Sequence, residues 1–183
     1  CNKQTNMPSL ILCPLAVSGQ TIQEGSKFGI EVNRYDNKSN IQICNYEQIE
    51  NIDCSQFGCI VLDESSILKN FEGSIKQKII DNFQNTKYKL ACTATPSPND
   101  PMELCNHAEF LNVMSRNEML SMYFVHDGGE TSKWRLKGHA VKKFYLFVGK
   151  WAIMLSNPND IGFNGDNYTL PSLNFIEKQI EAK

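Results

Sequence analysis

The sequence lacks a long apolar run, a Cys-x-x-Cys pair and an excess of charge of either sign. A helix needs about 20 apolar residues to span a bilayer, and the longest apolar stretch, residues 144–155, is interrupted by Lys150. We therefore expect no membrane segment. The 183 residues carry 18 Lys and Arg against 20 Asp and Glu, which excludes a generally basic nucleic-acid-binding protein but leaves room for a local basic strip.

The seven cysteines are odd in number, and several of them lie inside apolar runs, as Cys13 and Cys92 do. Free cysteine packs like a small hydrophobic residue. We therefore expect reduced thiols in the core of a cytoplasmic protein. The three histidines are scattered, and no cysteine spacing matches a zinc site.

The composition, with 41% hydrophobic and 21% charged residues, is that of an ordinary globular domain. The chain begins at Cys1, without an initiator methionine or an apolar signal core. This start is expected of a piece cut from a longer chain, which we call the parent protein.

Apolar strands alternate with helices along the first half of the chain. Such alternation is typical of an α/β fold, with a mainly parallel sheet and helices on both faces. Ligands of such sheets bind at the carboxyl ends of the strands, so polar residues that follow the strands are expected to converge. The predicted strands are 9–13, 31–34, 41–44, 58–62 and 88–92, and the predicted helices are 17–28, 46–49 and 74–83.

The second half of the chain is predicted to be mainly helical. Ser18 is the expected N-cap of helix 17–28, and Lys76 is expected on the polar face of helix 74–83. Four methionines, Met114, Met119, Met122 and Met154, are expected in the core of the helical part. The predicted helices are 102–112, 117–123 and 139–155, and the predicted loops are 126–130 and 158–167, followed by an extended segment at 169–175.

Two adjacent acids, Asp63 and Glu64, follow the most apolar strand of the sequence. Successive side chains of a strand point to opposite faces, so one carboxylate can approach a divalent cation while the other faces a nearby water. This arrangement is typical of nucleoside triphosphatases. The alternative is a strand that simply ends in a polar loop.

Two further segments follow strands. Thr93 and Thr95, after strand 88–92, can hydrogen-bond a carboxylate on the adjacent strand end, although the segment could equally be a capping turn before Pro101. Residues 12–18 could be a plain turn from strand to helix.

These segments, in order, resemble motifs Ia, II and III of superfamily 2 helicases, most closely those of the Swi/Snf-like branch. The matching stretches are 10–15, 61–66 and 92–99. Further stretches resemble phage and prophage DEAD/DEAH-type helicases, namely 15–21, 106–111, 124–131, 133–140 and 159–163. The resemblance implies the first RecA-like lobe of an ATP-dependent helicase or translocase.

The resemblance also implies a role for individual residues. Asp63 would associate with Mg²⁺ and Glu64 would be the catalytic base of ATP hydrolysis. Coupling of nucleotide state to movement would involve Ser66, Thr93, Ala94 and Thr95. The nucleic-acid backbone would lie near Pro14, Leu15, Ala16, Ser18, Asn45 and Tyr46.

The sequence departs from the family at three points. Ser66 replaces a histidine that links motifs II and III, and Asn45 replaces a threonine. No Gly-x-x-x-x-Gly-Lys-Ser/Thr loop occurs, so this phosphate-binding loop is expected before Cys1. The second RecA-like lobe, with its arginine finger, is expected after Lys183, so the isolated chain is expected to be inactive.

The implied organisation is a partial lobe over 1–113, a helical and loop extension over 114–168, and a linker over 169–183. The implied cofactors are ATP and Mg²⁺, and the implied partners are DNA, with RNA less favoured, and the second lobe. Two alternatives remain: a nucleic-acid-binding or partner-docking module with a degenerate ATP site, and a metal-dependent nuclease that uses Asp63 and Glu64.

Overall fold

The computed structural model describes residues 2–36, 38–69, 73–97, 99–126, 134–166 and 171–176. The chain divides into two compact units, Cys1–Phe144 and Tyr145–Lys183. The boundaries predicted at residues 113 and 168 stay a prediction. No helix of the described residues is long and apolar enough to cross a membrane.

The first unit is built on a sheet of five parallel strands, flanked by helices, in the order β2-β3-β1-β4-β5. The predicted α/β class with a parallel sheet is therefore confirmed. The elements are α1 (Asn2–Thr5), β1 (Ser9–Cys13), α2 (Ser18–Lys27), β2 (Asn33–Arg34), β3 (Ile41–Asn45), 3₁₀ turns at Tyr46–Asn51 and Cys54–Gln56, β4 (Cys59–Asp63), a 3₁₀ turn at Ser65–Lys69, α3 (Ser74–Asn82) and β5 (Tyr88–Cys92).

The core lies against the central strands β1 and β4. Leu10 and Leu12 of β1, and Ile60 and Leu62 of β4, are all fully buried. Removing these side chains from water supplies much of the free energy that holds the sheet together. The described cysteines are free thiols; Cys13, Cys44, Cys54, Cys59 and Cys105 are buried as expected, whereas Cys92 is exposed.

The predicted position of Lys76 on the solvent face of α3 is wrong. Its side chain is buried. Burial and the Arg116 charge lower the pKa of Lys76, and the Glu109 charge raises it. Helical periodicity alone cannot detect this burial, because the elements that cover Lys76 come from a distant part of the sequence.

A helical region follows the sheet. It also contains a short antiparallel hairpin, β6–β7, which the sequence did not predict. In this hairpin the ring centroids of His126 and Trp134 are 3.7 Å apart. The elements are a 3₁₀ turn at Pro101–Glu103, α4 (Leu104–Phe110), α5 (Arg116–Tyr123), β6 (Phe124–His126), β7 (Trp134–Leu136), a 3₁₀ turn at Gly138–Ala140, α6 (Val141–Val148) and a 3₁₀ turn at Pro158–Ile161.

The helix predicted over 139–155 is too long, because α6 ends at Val148. Gly149 has low helix propensity, and the chain turns there, with the amide of Trp151 donating to the Val148 carbonyl at 3.1 Å. Residues 127–130 of the predicted loop lie outside the described residues. Residues 171–175 of the predicted extended segment have no regular structure, and residues 169 and 170 lie outside the described residues.

The expectation that four methionines fill the core holds for only one of them. Met119 is fully buried, whereas Met122 and Met154 are 53% and 87% exposed. The aromatic cluster of the first unit contributes to the core instead: Phe144 lies edge-to-face with Tyr123 and Phe124, at centroid distances of 5.5 and 5.4 Å.

Replacing Ser115 with alanine is expected to lower the free energy of unfolding by about 1 kcal/mol. Ser115 caps α5 through a capping box, accepting a hydrogen bond from the Glu118 amide while the Glu118 carboxylate accepts one from the Ser115 amide. Urea denaturation measures the loss. Ser121→Ala is the control, because its hydroxyl donates to the Glu118 carbonyl at 2.8 Å and caps nothing; an equal loss in both variants would contradict the assignment of the cap.

Candidate functional site

The carboxyl ends of four strands meet at one edge of the sheet, as the sequence predicts. Cys13 at the end of β1 pairs with Asn45 at the end of β3, and Asp63 at the end of β4 pairs with Cys92 at the end of β5. The chain therefore brings Pro14, Asn45, the two acids and residues 93–95 to the same edge, where ligands of parallel sheets bind.

The two acids differ in conformation and exposure. Asp63 is the last residue of β4 and is half-buried, whereas Glu64 is exposed and has a left-handed backbone, with φ of 54°. A non-glycine residue rarely adopts this conformation outside Asn and Asp, and strained residues of this kind concentrate at functional sites. The left-handed backbone at Glu64 ends the run of the strand directly after Asp63.

Asp63 lies close to Cys13 at the end of β1, to Tyr46 after β3 and to Cys92 at the end of β5. The Tyr46 hydroxyl donates to the Asp63 carbonyl at 2.7 Å. Burial raises the pKa of Cys13 to about 11, and the Asp63 charge adds to this effect. Asp63 thus lies between the ends of β1 and β5, the strands on either side of β4.

A buried hydrogen bond follows the acids, and the sequence did not predict it. The Ser65 hydroxyl lies 3.2 Å from Nε2 of His107 on α4, and both side chains are almost completely buried. Nδ1 of His107 lies 3.4 Å from the Glu103 carbonyl, which can only accept. Burial lowers the pKa of His107, so the ring is neutral near pH 7. The proton therefore sits on Nδ1, and Ser65 donates to Nε2.

Two more hydrogen bonds hold the same region together. The buried Asn106 side chain donates to the Leu68 carbonyl at 2.7 Å, and Asn99 donates to the Glu103 carboxylate at 3.1 Å. We call Ser65, Leu68, Glu103, Asn106 and His107 the serine–histidine clamp. The one sequence signal for it was a pair of adjacent polar residues, Asn106 and His107, in a short helix whose other residues are apolar except Glu109.

The predicted coupling residues adopt a tight turn after β5. The Thr93 hydroxyl accepts from the Thr95 amide at 3.1 Å, and Ala94 and Thr95 are exposed. Among the residues described, the Thr93 hydroxyl forms a hydrogen bond within this turn and not with a carboxylate. Ser66 is half-buried beside Ser65, which links the acidic turn to α4 through His107, and the predicted coupling role of Ser66 stays a prediction.

The loop after β1 exposes its apolar tip. Leu15 is 67% exposed, while Ser18 is buried and its hydroxyl donates to the Leu15 carbonyl at 3.1 Å. The N-cap of α2 is Val17, so the prediction of Ser18 as the cap is wrong: Ser18 is the first helical residue. The exposed surface that this loop offers is Leu15 and Ala16, with Pro14 half-buried behind them.

The segment after β3 is less exposed than a direct contact surface would be. The Asn45 side chain donates to Glu47 at 2.7 Å, and Tyr46 is 2% exposed. What the structure assigns to Tyr46 is its contact with Asp63. The predicted contacts of Asn45 and Tyr46 with nucleic acid stay predictions.

Across the ranges that the structure describes, no group of three or more His, Cys, Asp or Glu side chains is placed to hold a metal ion. Mg²⁺ in nucleotide sites needs few protein ligands, because it binds one or two carboxylates together with substrate phosphates and waters. A single half-buried carboxylate such as Asp63 fits that requirement.

The chain is similar to a solved structure, the Sulfolobus solfataricus SWI2/SNF2 ATPase core in complex with dsDNA, with a TM-score of 0.53 and 27% identity. The likeness covers 67% of this chain and 30% of that one, so this chain spans under a third of that structure. No family model matches the sequence, and no curated protein matches it. The predicted RecA-like fold is confirmed, and the likeness extends to the helicase-like superfamily without identifying a phage branch.

Acid is expected to destabilise the first unit through His107. Burial, opposed by the Glu103 carbonyl and carboxylate, lowers the pKa of His107 below its usual 6.5. The unfolded chain therefore binds this proton more readily, so the contribution to stability is complete above pH 6.5 and is lost as the pH falls through the folded-state pKa.

Urea denaturation between pH 5 and pH 7.5 measures this effect. His107→Gln is expected to flatten the acid limb of the stability curve, whereas His139→Gln, at an exposed histidine, leaves that limb unchanged. An acid limb as steep in His107→Gln as in the native chain would contradict the interpretation.

Proposed function

We propose that the chain is part of the first RecA-like lobe of an ATP-dependent helicase or translocase that acts on DNA. The observation that carries the proposal is the pair Asp63 and Glu64 at the carboxyl edge of the sheet, with Glu64 in a left-handed turn. The likeness to an ATPase core supports it, and the sequence resemblance favours a Swi/Snf-like protein of the phage DEAD/DEAH type.

In this proposal the two acids have separate roles. The Asp63 carboxylate would hold Mg²⁺ through its water shell, and the bound ion would supply charge neutralisation at the phosphates. The exposed Glu64 carboxylate accepts a proton from the attacking water. Because the backbone turns at Glu64, the two carboxylates need not compete for the same ligand.

The neighbouring loops would connect hydrolysis to movement. Thr93, Ala94 and Thr95 lie beside Asp63 across the β4–β5 pair, so a shift of the acidic turn would reach them directly; Ser66 would move with that turn. Pro14, Leu15 and Ala16 at the end of β1, of which Leu15 and Ala16 are exposed, would lie along the nucleic-acid backbone, with Ser18 holding the loop and Asn45 and Tyr46 beside it.

The remaining parts of the site would come from the parent protein. A phosphate-binding loop would cradle ATP, and a second RecA-like lobe would close over it and supply an arginine finger, worth about 10³–10⁵ in rate. The proposed organisation is a lobe over 1–113, an extension over 114–168 and a linker over 169–183. The isolated chain is therefore expected to be inactive and the parent cytoplasmic.

Leu15→Glu is expected to weaken the binding of dsDNA by the parent protein. A new carboxylate about 4 Å from a phosphate costs about 1 kcal/mol in water, or roughly fivefold in affinity, and the effect shrinks as salt rises. Fluorescence anisotropy at two salt concentrations measures it. Phe28→Glu, at another exposed apolar residue outside the site, is the control; equal weakening by both variants would contradict a contact at this loop.

A further inference from the structure

We propose that Ser65 and His107 are positioning residues that hold Glu64 in its working orientation and connect it to the segment after β5. The inference rests on the proposed function, because it assigns the clamp a task in ATP hydrolysis. No residue of the clamp was among the predicted site residues.

Hydrogen bonds fix the chain on either side of Glu64. Tyr46 fixes the preceding residue through the Asp63 carbonyl at 2.7 Å, and His107 fixes the following residue through the Ser65 hydroxyl at 3.2 Å. The left-handed turn at Glu64 lies between these two fixed points. A conformation that a glutamate rarely adopts persists where its surroundings determine it.

A series of hydrogen bonds connects this turn to the segment after β5. The Ser65 hydroxyl donates to His107 Nε2, His107 Nδ1 donates to the Glu103 carbonyl, and the Asn99 side-chain amide donates to the Glu103 carboxylate. Asn99 closes the Thr-Ala-Thr-Pro segment that begins at Thr93. Hydrogen bonds through His107 and Glu103 thus connect the acidic turn to the segment after β5, in addition to the pairing of β4 with β5.

Two buried polar atoms of the clamp reduce the stability of the fold. Glu103 Oε2 and Asn106 Oδ1 are buried, and in the described part of the chain neither accepts a hydrogen bond. Buried acceptors without partners are rare and destabilising. These polar side chains therefore do more than fill the core, since Asn106 and His107 each bond the chain that follows the acids.

Ser65→Ala tests the inference in the parent protein. Misplacing a catalytic group by about 1 Å can cost on the order of 10²-fold in rate, so kcat for ATP hydrolysis is expected to fall about tenfold to a hundredfold. The KM for ATP is expected to stay within about twofold, since Glu64 acts in the transition state rather than in binding. His107→Gln is expected to lower kcat in the same way, and the double variant to fall no further than the single ones.

Ser115→Ala is the matched control. It also removes one serine hydroxyl and one helix-fixing hydrogen bond, but at the start of α5 instead of beside the acids. A merely structural role for Ser65 would lower the melting temperature without changing kcat below it, as we expect for Ser115→Ala.

Hydrogen exchange of the 183-residue chain provides a second readout that needs no ATP. Backbone amides of residues 63–67 are expected to exchange at least about tenfold faster in Ser65→Ala than in Ser115→Ala, because local opening becomes easier. Unchanged kcat together with unchanged exchange would overturn the inference. If the native parent hydrolyses no ATP, the proposed function fails, and exchange alone then decides: faster exchange supports the positioning of this turn by the clamp, and unchanged exchange overturns it.

Discussion

Glu64→Gln in the parent protein is expected to lower kcat for ATP hydrolysis by about 10²–10⁴-fold, the usual contribution of a general base. The amide keeps the size of the carboxylate but cannot take a proton from water. The backbone at Glu64 is fixed by the bonds of its neighbours, so the substitution changes the chemistry without moving the turn. ATP is expected to bind within about threefold of the native affinity, because the lost interaction forms in the transition state.

Phosphate release measures kcat, and a fluorescent ATP analogue measures binding. Glu50→Gln is the matched control, since Glu50 is an exposed glutamate that pairs with Lys78 away from the sheet edge. It is expected to leave kcat unchanged. Retained steady-state hydrolysis by Glu64→Gln would exclude Glu64 as the base.

Phe110→Ala is expected to lower the free energy of unfolding by about 3–5 kcal/mol, the usual cost of emptying a buried aromatic site. The Phe110 ring is fully buried in the main core cluster and lies 5.4 Å below the Lys89 ammonium. Lys89 also donates to the Phe110 carbonyl at 2.9 Å, so one residue anchors the end of α4 by its ring and by its backbone.

Urea denaturation of the 183-residue chain measures this loss, with Phe28→Ala as control. The Phe28 ring is 76% exposed, and its removal is expected to change stability by less than about 0.5 kcal/mol. Because α4 also carries His107, Phe110→Ala is expected to loosen the turn at Ser65. Similar losses in the two variants would contradict the assignment of Phe110 to the core.

The sheet could be predicted from the sequence because its strands are short, apolar and bounded by turn residues. The bounds of β1 and β5 agree with the prediction to the residue. The position of the acids and of the coupling turn could also be predicted, because the residues that follow parallel strands meet at one edge of the sheet.

The serine–histidine clamp could not be predicted, because Ser65 and His107 are 42 residues apart. Their contact depends on the docking of α4 beside the acidic turn, which is a matter of tertiary packing and leaves no local pattern. Lys76 was misplaced for the same reason: its helical position is polar by pattern, and elements far along the chain bury it.

The early end of α6 and the hairpin β6–β7 were missed for a different reason. The apolar face that predicted a helix to residue 155 continues past Gly149, but the glycine lets the chain turn there. The hairpin strands have three residues each, too few to show the alternation by which strands are recognised.

The most direct test of the account is the rate of ATP hydrolysis by the native parent protein with and without dsDNA. We predict Mg²⁺-dependent hydrolysis that dsDNA accelerates and that Glu64→Gln abolishes. DNA binding without any hydrolysis would instead indicate a binding module with a degenerate site, and metal-dependent DNA cleavage without ATP would indicate a nuclease. Either result would contradict the assignment of Asp63 and Glu64 to ATP hydrolysis.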